Sequence, residues 1–150
     1  MLNFKLIKEC VNYINKYYKA YLHENTYHIT TNGLLLNEKI QDFLYENKFS
    51  VLVSIDGYNE NHDRNRLTAS GGKTFDLVFN NYKKMRTRYH DAKLSAAGYM
   101  DYKTDIERIM NFSNEENIDF VTLSMVEANN STYYSQFSEI DKFNYSKKIQ

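Results

Sequence analysis

Apolar side chains recur at three- and four-residue steps through Leu6, Ile7, Cys10, Val11, Ile14, Tyr17, Tyr18 and Tyr21. That period predicts an amphipathic helix over residues 3–22, with Cys10 as an inert thiol inside its buried stripe. Thr26 to Thr31 is β-branched and aromatic and runs into Asn32-Gly33, so it reads as a strand closed by a turn. Asn37 is placed to cap a second helix whose stripe is Ile40, Phe43 and Leu44. Between Phe49 and Ile55 the alternation is strict. Phe49, Val51, Val53 and Ile55 share one face; Ser50, Leu52, Ser54 and Asp56 share the other. Tyr58 to Lys73 has no periodicity and reads as a loop with room for one turn of helix. Phe75, Val78, Phe79, Tyr82 and Met85 mark a third helix, Leu94 to Tyr99 a strand, Asp105 to Phe112 a short helix, and Phe120 to Val126 a last strand.

Strands alternating with helices predict a parallel α/β sheet, and in such sheets ligands gather at the carboxyl ends of the strands. Those ends carry Thr30 with Asn32 and Ser54 with Asp56, each pair two residues apart on one strand face. A ring of hydroxyls, an amide and a carboxylate suits a small polar molecule with carboxylate, amino or ribose groups. The alternative is that Asn32 and Asp56 only shape the turns before Gly33 and Gly57. Arg66, at the far end of the following loop, is positioned to reach back as a carboxylate clamp.

Composition narrows the classes. The 150 residues hold 19 basic and 19 acidic side chains, which argues against a nucleic-acid partner. One cysteine excludes an internal disulfide and any multi-cysteine metal centre built from these residues alone. Charges interrupt the N-terminal apolar stretch, and no apolar run approaches the roughly 20 residues of a membrane span. A cytoplasmic location without membrane association is therefore expected. Ser70-Gly71-Gly72-Lys73-Thr74 has the end of a phosphate loop, but the first glycine of that motif would stand at position 67, which is Leu67. The glycines then relieve a turn, and Thr74 is expected to cap the third helix. His62-Asp63 with Asp56 and Glu60 fits no metal-ligand spacing, so neither a metal site nor a catalytic residue is assigned.

Four segments resemble the middle of radical S-adenosylmethionine (SAM) enzymes, in order. They are Ile29-Thr30-Thr31-Asn32-Gly33-Leu34-Leu35-Leu36, Val53-Ser54-Ile55-Asp56-Gly57, His62-Asp63-Arg64-Asn65-Arg66 and Gly72-Lys73-Thr74-Phe75-Asp76. The branch they resemble is the SPASM-containing peptide and protein maturases, which include anaerobic sulfatase maturases. Tyr102-Lys103-Thr104-Asp105-Ile106, Ser124-Met125-Val126 and Tyr133-Tyr134 look most like maturases of cysteine-rich peptides. The resemblance implies a partial (β/α) barrel, SAM and a [4Fe–4S] cluster as cofactors, and a peptide substrate modified by a thioether crosslink or a related change. By position, Thr30 and Ser54 match SAM-contacting residues, Asn32 and Asp56 belong to the same motifs, and Arg66 matches an arginine that holds the SAM carboxylate or the substrate.

The family's CxxxCxxC loop, its Gly-Gly-Glu-Pro motif and its C-terminal cysteines are not in this sequence, and Tyr58 stands where the family often has proline. The expectation is an internal barrel fragment: residues 1–128 run from the second helix to the sixth strand, without the first two strands and first helix, and residues 129–150 form a polar tail. No cluster is expected in such a chain, and the isolated chain is expected to be inactive. A second polypeptide is a candidate to supply the missing strands. The competing reading is a non-catalytic SAM- or peptide-binding module, or a decayed remnant.

Overall fold

The computed structural model describes residues 3–18, 26–126 and 131–148. Four strands, β1 (Tyr27–Thr31), β2 (Phe49–Ser54), β3 (Leu94–Met100) and β4 (Phe120–Met125), form one sheet in the order β1-β2-β3-β4. The helices are α1 (Phe4–Tyr17), α2 (Glu38–Glu46), α3 (Asn59–Asn65), α4 (Phe75–Arg88), α5 (Ile106–Glu115), α6 (Ser131–Tyr134) and α7 (Glu139–Lys148). The parallel α/β class expected from the alternation is the class found. The chain divides into two compact units: Met1–Ser54 with Leu77–Leu94, and Ile55–Asp76 with Ser95–Gln150.

In the first unit, β1 and β2 pair in parallel with Ile29 opposite Val51 and Thr31 opposite Val53. Val51 and Val53 are buried, and Leu36, Ile40, Leu44, Val78, Tyr82 and Met85 complete that core. Burying side chains of this kind contributes about 2 kcal/mol each. Asn37 does cap α2, its Oδ1 accepting from Ile40 N at 3.2 Å. Buried Gln41 donates to Leu36 O at 2.8 Å and to Asn81 O at 3.1 Å, which ties α2 to α4. Helix α1 ends at Tyr17, and residues 19–22 of the expected helix lie outside the described residues. Its buried side runs through Val11, flanked by half-buried Ile7 and Ile14. Cys10 falls off that line and is exposed, which corrects the expectation of a buried thiol.

The second unit departs further from the sequence reading. The segment expected to be a loop contains α3, a helix of seven residues. After it, Leu67 and Lys73 pair as an antiparallel bridge around the Gly71-Gly72 turn. Thr74 does not cap α4. Its N–H and that of Phe75 both donate to Asp63 Oδ1 at 2.9 Å, so a carboxylate from α3 closes the start of α4. Asp105 caps α5, accepting from Arg108 N at 3.2 Å. The C-terminal region, which carries no clear period, folds as α6 and α7 over its described residues.

A buried polar network fixes α3 against the turn after β3. Arg64 grips Asp101 with two bonds, Nε to Oδ2 at 2.6 Å and Nη2 to Oδ1 at 2.8 Å. Asn65 Nδ2 and Lys103 N donate to the same carboxylate, each at 2.9 Å. Burial pushes the Asp101 carboxyl up, but these bonds and the Arg64 charge outweigh it and hold it below the usual carboxylate range. Asn61 joins by accepting from Arg64 and from Thr104 while donating to Asp56 O.

Candidate functional site

Asp56 follows β2, in the second unit, and every polar group on it is engaged. Its N–H donates to His62 Nδ1 at 3.2 Å, and its carbonyl accepts from Asn61. Oδ1 accepts from Tyr99 N at 2.8 Å, and Oδ2 accepts from Arg66 Nε at 2.7 Å. The carboxylate thereby continues the strand ladder. Ile55 N donates to Ala97 O, and the next donor along β3, Tyr99 N, goes to the Asp56 side chain. Gly98 makes this approach possible, because a Cβ there would stand 2.5 Å from Ile55 O. Asp56 is 1% exposed.

Arg66 projects past Asp56 into a pocket of about 600 Å³ lined by Asp56, Asn65, Arg66, Tyr99, Ser124, Met125 and Val126. Its Nε is used by Asp56; among the described residues its terminal amino groups meet no hydrogen-bond partner. The Tyr99 ring lies 5.9 Å from the guanidinium carbon. A half-exposed guanidinium oriented by a carboxylate and opening on a polar-apolar cleft can take a planar anion in two-point contact.

A shift in the β3–β4 register shapes this cleft. Ala96 pairs with Phe120 but Ala97 pairs with Thr122, so the partner strand carries one extra residue. Tyr99 is then opposite Ser124, where an unbroken register would bring Leu123. Paired residues of parallel strands share a face, so the bulge turns a hydroxyl toward the pocket in place of an isobutyl group.

The other predicted residues belong to the first unit. Thr30 pairs with Leu52, which puts Thr30, Leu52 and Ser54 on the sheet face opposite buried Val51 and Val53. Thr30 is exposed and Ser54 half-buried. Asn32 Oδ1 accepts from Leu34 N at 3.3 Å and shapes the turn at Gly33, whose φ is +74°. Asp56 and Arg66 are thus paired with each other, and Thr30 and Ser54 share a face with Leu52.

Sequence reasoning left Asn65, Tyr99, Ser124 and Met125 unassigned, all of which line the pocket, and His62, weighed above as a metal ligand, is a fully buried hydrogen-bonding group. No group of His, Cys, Asp and Glu among the described residues is arranged to hold a metal ion. Glu60 instead pairs with Arg108 at 2.8 Å on the surface.

This parallel α/β sheet, with the strand order β1-β2-β3-β4 and a pocket at the strand ends, has the fold of the radical SAM enzyme anSMEcpe. It matches native anSMEcpe with bound AdoMet and Cp18Cys peptide at a TM-score of 0.72 and 21% identity, over 85% of this chain and 37% of that one. A histidine-tagged form of anSMEcpe with bound AdoMet matches at a TM-score of 0.73 and 21% identity, over 85% of this chain and 35% of that one. The relatives by sequence are cysteine-type anaerobic sulfatase-maturating enzymes, radical SAM enzymes of the SPASM type. The one from Clostridium novyi (strain NT) is 26% identical over 121 residues, 81% of this chain and 32% of that protein. The one from Clostridium perfringens (strain 13 / Type A) is 30% identical over 122 residues, again 81% of this chain and 31% of that protein. This chain spans about a third of the length of the curated relatives it matches. No protein-family model matches it.

Proposed function

We propose that this chain is the SAM-binding central portion of a radical SAM maturase that modifies a peptide, by a thioether crosslink or a related change. The observation that carries this reading is the Arg66 guanidinium, oriented by Asp56 and opening on a cleft at the strand ends, in a chain whose relatives are radical SAM maturases. Arg66 is assigned to the SAM carboxylate. The Thr30 and Ser54 hydroxyls are assigned to its polar groups, Asp56 to orienting Arg66, and Asn32 to the turn that presents Thr30. Tyr99 and Val126 offer apolar surface for the adenine.

The residues present suit SAM, which when bound supplies the adenosyl group for hydrogen abstraction. They do not suit an iron–sulfur cluster. Three thiolates are needed, and Cys10 is the one cysteine, exposed on α1. No step is therefore assigned to a cluster held by these residues. This shortage favours a second reading, in which the chain binds SAM or a peptide without catalysis. A cytoplasmic location and a polypeptide pairing with the sheet edge at β1 accompany the proposal; no described helix is long and apolar enough to cross a membrane.

Calorimetric titration with SAM tests the proposal. Saturable binding weakened about ten-fold by Arg66→Ala, the effect of losing a charge-assisted pair of bonds, is expected. Ser54→Ala is expected to weaken it less. Absence of binding by the unsubstituted chain contradicts the proposal. Anaerobic incubation with iron, sulfide, dithionite and SAM is expected to release no 5′-deoxyadenosine from the isolated chain, whose one cysteine cannot hold the cluster; release would contradict that expectation.

A further inference from the structure

We propose that His62 is a positioning residue for Arg66: the neutral imidazole ties the backbone at Asp56 to the backbone at Arg66 and so sets the direction in which the guanidinium faces the pocket. The inference rests on the reading of that pocket as the site for the SAM carboxylate.

His62 is 0% exposed, and both ring nitrogens are used. Asp56 N–H, a donor with no alternative role, points at Nδ1 at 3.2 Å, so Nδ1 is the unprotonated nitrogen. Nε2 then carries the hydrogen and donates to Thr74 Oγ1 at 3.1 Å. The Thr74 hydroxyl spends its own hydrogen on Arg66 O. Arg66 N in turn donates to His62 O at 2.9 Å. One buried ring thus reaches the main chain of both members of the Asp56–Arg66 ion pair, which meets at 2.7 Å. The Phe75 ring packs edge-on at 5.6 Å between centroids and holds the imidazole in place.

This arrangement works for the neutral ring only. A proton on Nδ1 would face the Asp56 N–H donor to donor, and that bond would open. The charged groups acting on the ring are Asp56 and Asp63, which favour the proton, and Arg66, which opposes it. Burial outweighs them all and holds the His62 pKa below its ordinary value. As pH falls through that pKa, Asp56 and Arg66 lose their common anchor, and the anion affinity of the pocket falls with them.

The test uses the full chain in solution. ¹⁵N–¹H spectra recorded from about pH 7.5 downward until the His62 ring signals have titrated follow the Arg66 Nε–Hε resonance, assigned by its loss in Arg66→Lys. The Arg66 resonance is expected to move with the His62 midpoint. In His62→Gln, which keeps a donor toward Thr74, it is expected to stay flat. An Arg66 resonance that ignores the His62 titration in the unsubstituted chain overturns the proposal, whether or not the variant folds. SAM titrations over the same range are expected to show affinity falling about five-fold in the unsubstituted chain beyond any change in His62→Gln, the worth of a hydrogen bond. The ligand's own amino group titrates in both and cancels in that comparison. Affinity with equal pH dependence in both proteins overturns the proposal. No SAM binding at any pH overturns the proposed function instead, and the Arg66 resonance still decides the positioning role.

Discussion

A methyl group at position 98 would meet Ile55 O at 2.5 Å and Asp56 Cα at 3.0 Å, both backbone atoms with nowhere to go. Gly98→Ala is therefore expected to cost about 1–3 kcal/mol, read as a lower urea midpoint. At Asp101 the loss would be larger. Its carboxylate is 0% exposed and satisfies Arg64, Asn65 and Lys103 N at once. Asp101→Ala leaves those donors without their partner and is expected to cost about 3–5 kcal/mol. Glu60 and Arg108 are as close, at 2.8 Å, but both are more than half exposed. Glu60→Ala is expected to cost under about 1 kcal/mol. Equal losses for Asp101→Ala and Glu60→Ala would contradict this ranking.

Helices and strands were legible where the signal was local. Asn37 stands three residues before Ile40 and caps α2 as its position suggests. The alternation from Phe49 to Ser54 reproduces the buried and half-buried faces of β2. Signals that cross the chain were not legible. Asp63 closes α4 from eleven residues away, and nothing in the spacing separates it from a solvated loop acid. Asp63→Ala is expected to destabilise the chain by about 1 kcal/mol and to fray α4, seen as faster amide exchange at its first turn. The bulge that puts Ser124 beside Tyr99 leaves no mark either, because Phe120 to Met125 alternates too weakly to fix a register. Cys10 illustrates the opposite error: the apolar stripe drawn on α1 was too wide, since one turn carries more apolar residues than its buried side accepts. Asp56 and Arg66 were expected at a ligand site, and both line the pocket at the strand ends. Their ion pair was not expected, because it depends on α3 folding where a loop was expected.

Across the whole molecule, acid should act in two stages. Because burial holds the His62 pKa below its ordinary value, the unfolded chain binds this proton more readily than the folded one. The stabilisation is complete above about pH 6.5 and is lost as pH falls toward the folded pKa. Asp101, held below its ordinary range, contributes stability above about pH 4 that disappears only on further acidification. Urea midpoints measured from about pH 7.5 to about pH 5 should therefore fall in the unsubstituted chain and fall less in His62→Gln. A flat profile in the unsubstituted chain would contradict the buried neutral imidazole. The same 150 residues cover about a third of their curated relatives, so what they do alone is first a question of binding. The central claim is tested most directly by the ¹⁵N–¹H spectrum of the chain titrated with SAM. Tyr45, on α2, donates to Asp91 at 3.1 Å, and the two line a separate cleft with Phe49 and Lys93. Saturable shifts at Arg66, Tyr99, Ser124 and Val126, with Thr30 and Ser54 following the same midpoint and Tyr45 and Asp91 unmoved, are the predicted result. A spectrum unchanged at high SAM, or shifts gathered around Tyr45 and Asp91, would contradict the account.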